Sequence, residues 1–204
     1  PGSSHGVAGN TNTFVYNDLY YFRANTTEHG SEPWVSDGTA EGTRLLKDTN
    51  PGPEDFGMLQ YGIGNNGYLY FLALENFQDG PGALWKTAGT EASTTSIKVI
   101  QEAGSIHDYH SFLVYQDKVY FWDRTDFFAD NLWVTDGTAG GTNTFFRVAT
   151  LDGSINFFEV INNYMVFTGE SSGAPLGFYR SDGTSEGTVV LTHFRARAMG
   201  TFQR

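Results

Sequence analysis

Short apolar runs recur along the chain in pairs, each pair split by a polar turn of two or three residues. Phe14-Val15-Tyr16 leads through Asn17-Asp18 into Leu19-Tyr20-Tyr21-Phe22, and Phe112-Leu113-Val114-Tyr115 leads through Gln116-Asp117-Lys118 into Val119-Tyr120-Phe121. Asn65-Asn66-Gly67 precedes Leu69-Tyr70-Phe71, and Asn162-Asn163 precedes Met165-Val166-Phe167. Aromatic and β-branched residues on either side of such turns predict β-hairpins. No stretch sustains a helical period.

A third aromatic position follows each hairpin. Trp34, Trp85, Trp133 and Tyr179 lie 51, 48 and 46 residues apart. Each stands in a recurring segment: EPWVSDGTAEGTRLLKD from Glu32, NLWVTDGTAGGTNTFFRV from Asn131, GFYRSDGTSEGTVVL from Gly177, and a degenerate ALWKTAGTEASTTSIKVI from Ala83. One unit therefore reads strand, tight turn, strand, longer loop, strand, DGT turn, strand. The predicted units are residues 1–50, 51–101, 102–149 and 150–204. Four short strands per unit of this length are the signature of a propeller blade. A single such sheet has two apolar faces and cannot stand alone, so neighbours must cover it. The predicted fold is all-β, a β-propeller with four blades of four antiparallel strands. Pro1-Gly2 aligns with Pro51-Gly52, which sets four whole units in phase. A closed four-bladed ring is expected; the alternative is half of a larger propeller completed by a second chain, or a piece of a longer array.

The repeated residues read as scaffold. The third-strand aromatics are expected to fill the gaps between blades. In the DGT turns, Asp and Thr side chains can bond nearby backbone N–H groups and so build the turn from within. Asp37, Gly38, Asp136, Gly137, Asp182 and Gly183 are the structural turn residues of three units. In the second unit the aspartate is replaced by Ala88. A metal or catalytic ring made of these aspartates would lack one quarter, whereas a turn can tolerate the change.

The pattern LWxxDGTxxGT, carried by Leu132–Thr138 and, less completely, by Glu32–Thr39, resembles the ELWxxDGT repeat of secreted and surface-associated bacterial proteins. The resemblance covers almost the whole chain. It implies an extracellular or cell-surface β-propeller with a binding or adhesive role, and it brings no catalytic residues with it.

Charge and composition narrow the functions further. The chain has 204 residues, no cysteine and a formal net charge of −11. Disulfides and thiolate chemistry are excluded. Binding to phosphate backbones rests on Lys and Arg, so nucleic acid is not an expected partner. No apolar run is long enough to insert in a membrane as a helix.

Candidate chemistry therefore falls to the loops that do not repeat. Loops between second and third strands gather on one propeller face and differ most between units. Aromatic and acidic loops suit sugars, because rings stack on pyranose faces and carboxylates accept from hydroxyls. The candidate ligand-binding residues are His29, Phe77, Trp122, Asp126, Phe127 and Phe128. The paired His107 and His110 and the acidic run Asp123–Asp130 read as exposed loops rather than metal sites. Asn25-Thr26-Thr27 is a glycosylation sequon of consequence only in a eukaryotic secretory pathway. No cofactor is expected, with calcium or another ion in the central channel left open. The expected function is a non-enzymatic binding or adhesion module for a glycan or protein partner, monomeric or homodimeric. Its alternatives are a carbohydrate-active enzyme using loop carboxylates such as Asp123, Asp126 and Asp130, and a structural, self-assembling repeat.

Overall fold

The computed structural model describes residues 13–52, 60–74, 82–101, 112–126, 129–149, 158–169 and 177–194. They form sixteen strands and, among the described residues, no helix. The first sheet comprises β1 (Thr13–Tyr16), β2 (Leu19–Thr26), β3 (Gly30–Ser36) and β4 (Arg44–Leu45). The second comprises β5 (Gln60–Asn65), β6 (Tyr68–Leu74), β7 (Gly82–Thr87) and β8 (Thr95–Gln101). The third comprises β9 (Phe112–Tyr115), β10 (Lys118–Asp126), β11 (Ala129–Thr135) and β12 (Asn143–Ala149). The fourth comprises β13 (Phe158–Ile161), β14 (Tyr164–Gly169), β15 (Gly177–Ser181) and β16 (Val189–His193). Every sheet is an antiparallel meander in chain order, which is the blade the repeat predicts.

Each sheet opens on a two-residue hairpin whose central residues both have positive φ. Asn17 and Asp18 stand at 49° and 59°, Gln116 and Asp117 at 49° and 59°, and Asn162 and Asn163 at 50° and 62°. That twist matches the right-handed twist of the flanking strands, and Asn and Asp reach it at low cost. These tips also join neighbouring sheets. The Gly67 N–H donates to the Tyr16 hydroxyl (3.0 Å), Asn65 Nδ2 to the Asp117 carbonyl (3.0 Å), and the Tyr115 hydroxyl to the Asn163 carbonyl (2.7 Å).

Three hydrophobic clusters lie in the three gaps between consecutive sheets. Tyr21, Val35 and Leu46 meet Leu69, Phe71 and Trp85 in the first gap. Leu72, Leu84 and Ile100 meet Phe121, with Trp133 against them, in the second. Tyr120, Trp122 and Leu132 meet Met165, Phe167 and Tyr179 in the third. Third-strand aromatics stack on the second-strand phenylalanines: Phe71 on Trp85 at 6.4 Å, Phe121 on Trp133 at 6.2 Å, and Phe167 on Tyr179 at 5.4 Å. Each ring removes about 150–250 Å² from water, so these gaps hold most of the fold's apolar burial. Strand β5 packs on β1 and on β9, and β9 packs on β13. Among the described residues no comparable contact joins the fourth sheet to the first.

Candidate functional site

The first sheet carries a polar cluster at the junction of its second and third strands. Strands β2 and β3 are joined by a short loop that the Thr26 hydroxyl closes by accepting from the His29 N–H at 3.1 Å. This holds His29 at the head of β3. Its Nδ1 lies 3.1 Å from Asp48 Oδ2, and its Nε2 lies 3.8 Å from Glu28 Oε2. Two carboxylates therefore bracket one imidazole. The other Asp48 oxygen, Oδ1, is buried with no hydrogen-bond partner.

Beneath this group sits Glu32, a fully buried carboxylate. It accepts from the Thr49 N–H (2.8 Å), the Thr49 hydroxyl (2.7 Å) and the Asn50 N–H (2.9 Å). These donors directly follow Asp48 in the chain, so Glu32 fixes the segment that carries Asp48. Burial pushes the Glu32 carboxyl above its usual range, with the charge of Asp48 adding to the rise and the bonds from Thr49 and Asn50 opposing it. The positions equivalent to Glu32 in the other sheets are Ala83, Asn131 and Gly177. Such small or neutral residues cannot hold the following segment through a carboxylate.

Of the residues singled out from sequence, only His29 belongs to this cluster. Trp122 is buried in the gap with the fourth sheet, edge-on to Phe167 at 5.8 Å, and not on a loop surface. Phe77, Phe127, Phe128, His107 and His110 lie outside the described residues. Asp126 closes β10, but its side chain, like those of Asp123 and Asp130, is outside them too. Glu28, Glu32 and Asp48 were not singled out. A signal for Glu32 existed: one acid at a repeat position that is otherwise small or amide. Asp48 had none, because its meeting with His29 spans a whole hairpin. Among the described residues no group of three or more His, Asp or Glu is arranged to hold a metal ion.

The DGT turns are built as closed units. In the third sheet, Asp136 Oδ1 accepts from the Thr138 N–H (2.9 Å) and hydroxyl (2.7 Å), and the Gly141 N–H donates to Thr138 Oγ1 (3.0 Å). The same bonds hold Asp37 and Asp182. The threonine hydroxyl and N–H keep all three carboxyls below their usual range.

No protein-family model matches the chain, and no curated protein matches it. Solved structures do resemble it. An exo-β-1,3-galactanase from Phanerochaete chrysosporium is 9% identical, with 87% of this chain and 49% of that one covered at a TM-score of 0.45. A family 117 glycoside hydrolase of the marine bacterium Zobellia galactanivorans is 12% identical, with 89% and 68% covered at 0.43. An α-L-arabinofuranosidase from Clostridium thermocellum is 13% identical, with 87% and 71% covered at 0.36. The chain spans about half the length of the galactanase. These structures are glycoside hydrolases and not adhesion modules, which corrects the expectation of a non-enzymatic binding or adhesion module. At such identities and scores the likeness transfers no residue to this chain.

Proposed function

We propose that the chain acts on carbohydrate as a hydrolase, at the rim of the first sheet formed by Glu28, His29 and Asp48. The observation that carries this reading is the imidazole held between two carboxylates, 3.1 Å from one and 3.8 Å from the other. An aspartate on Nδ1 holds the proton there and leaves Nε2 as the nitrogen that exchanges protons. That tautomer follows from the hydrogen-bond network. Glu28 is largely exposed, so its carboxylate is free to accept from sugar hydroxyls. Glycoside hydrolysis needs one group to protonate the leaving oxygen and another to activate water. His29, oriented by Asp48 on Nδ1, takes the acid–base role, and Glu28, 3.8 Å from Nε2, is the group that holds the sugar beside it. Glu32 acts through Asp48 and is a positioning residue.

The test is release of reducing sugar from a panel of galactan, arabinan and xylan oligosaccharides. Turnover is expected, with His29→Ala and Asp48→Asn each lowering the rate by about 100-fold or more, the usual weight of a positioned acid–base group. Circular dichroism must show both variants folded. Full rates in both variants, or no release by the folded wild type, would overturn the reading. Abolition by Asp126→Asn alone would move the site to the third sheet's loop.

A further inference from the structure

The three gaps between sheets obey one rule. Each sheet lays the face bearing its second-strand tyrosine, Tyr21, Tyr70 or Tyr120, against the opposite face of the next sheet. The hydroxyl of that tyrosine lies against the glycine of the next DGT turn: Tyr21 against Gly89, Tyr70 against Gly137 and Tyr120 against Gly183. Burial pushes Tyr21 and Tyr120 up to about 12. A cation adds a second link. Lys86 lies over the Tyr68 ring at 5.0 Å and donates to the Gly137 carbonyl of the following turn at 2.7 Å. Arg44 donates likewise to the Gly89 carbonyl at 2.7 Å.

Two faces are left over, and each is one half of such a contact. The receiving face of the first sheet carries Tyr20, Phe22 and Trp34. Tyr20 is 44% exposed, whereas its equivalents Leu69, Val119 and Met165 are at most 1% exposed. Around Gly38 there is open space within 4 Å on the side where the other turn glycines meet a tyrosine. The delivering face of the fourth sheet carries Ile161, Tyr164 and Val189, exposed by 46%, 37% and 40%. Arg180 lies over the Tyr164 ring at 4.8 Å, in the arrangement of Lys86 over Tyr68. Val166 replaces the tyrosine in this sheet, which leaves Arg180 to make the link.

We propose that these faces are the two halves of a head-to-tail joint between two copies of this chain. The fourth sheet of one copy docks on the first sheet of the other, and Arg180 donates to the Gly38 carbonyl across the joint. Within the described part of one chain, no strand of the fourth sheet packs on the first sheet as consecutive sheets pack on each other. A heterologous contact used twice by two copies closes a ring. The described parts of two copies bring eight four-stranded sheets to that ring, a number within the usual range for propellers. It also covers apolar surface that a monomer would leave in water. The inference stands apart from the carbohydrate reading, since it uses none of the residues at that rim.

The absence of cysteine makes a direct test available. Tyr16 packs on Gly64 across the first gap, and the matching pair in the proposed joint is Ile161 on Val15. Val15→Cys and Ile161→Cys chains are prepared separately, mixed and oxidised. A disulfide-linked pair is expected from the mixture and not from either chain alone. Light scattering should give twice the chain mass for the wild type and the single-chain mass for Arg180→Glu, with unchanged circular dichroism. A wild type that stays monomeric at its highest soluble concentration, or a mixture that does not cross-link, would overturn the proposal. So would a double variant whose disulfide forms only within one chain, because the ring would then close on itself.

Discussion

The DGT turn of the second sheet and that of the third solve one geometric problem with different chemistry. In the third sheet the Asp136 carboxylate fills the centre of the turn, and a side chain on Gly141 would collide with it. The second sheet has Ala88 where the aspartate would stand and Ser93 where that glycine would stand. The Ser93 hydroxyl accepts from the Ala88 N–H (3.1 Å), the Thr90 N–H (3.1 Å) and the Thr90 hydroxyl (2.8 Å). It takes over the acceptor role of the missing carboxylate from the opposite side of the turn. A threonine pair ties both turns across seven residues: Thr87 to Thr94 and Thr135 to Thr142, each at 2.7 Å. The turn therefore needs one central acceptor and has space for only one. The residue that looks degenerate in sequence belongs to a compensated pair.

The largest effect should come from crowding both groups into one turn. Gly141→Ser forces a hydroxyl onto the Asp136 carboxylate and is expected to cost about 2 kcal/mol, the scale of overpacking, in urea denaturation. Asp136→Ala, which removes one exposed acceptor, is expected to cost about 1 kcal/mol. The double variant Asp136→Ala with Gly141→Ser rebuilds the second sheet's turn and should be no less stable than Asp136→Ala alone. A double-mutant cycle with no favourable coupling would break the comparison.

The smallest effect is a pH dependence confined to the aspartate turns. Asp37, Asp136 and Asp182 have carboxyls held below the ordinary value of 3.8, so they add stability that is fully present above that pH. The contribution is lost as pH falls through the lower folded value. Melting temperatures of the wild type and of the double variant should therefore converge as the solution is acidified below pH 3.8. The Ala88 turn contributes nothing to that slope. A gap between the two that stays constant in acid would remove the carboxylates as its cause.

Much of the fold was legible because the turns are written locally. Asn17-Asp18 and Asn162-Asn163 adopt the left-handed pair that their sequence announces. The third-strand aromatics Trp85, Trp133 and Tyr179 lie in the gaps between sheets, in keeping with their even spacing. The candidate site was less legible. His29 stood out as a loop histidine, but Asp48 lies nineteen residues away and meets it only because β3 and β4 pair. Trp122 read as a loop aromatic, yet strand β10 extends past it and turns it into the third gap.

The sequence alone determined the unit: four strands, their turns and the apolar character of both faces. Hairpin twist, turn acceptors and alternation depend on residues close in the chain, so local order suffices to specify them. Tertiary structure decided which faces found a neighbour. The identical alternation buries Leu69, Val119 and Met165 and leaves Tyr20 44% exposed, because burial depends on which positions a neighbouring sheet covers.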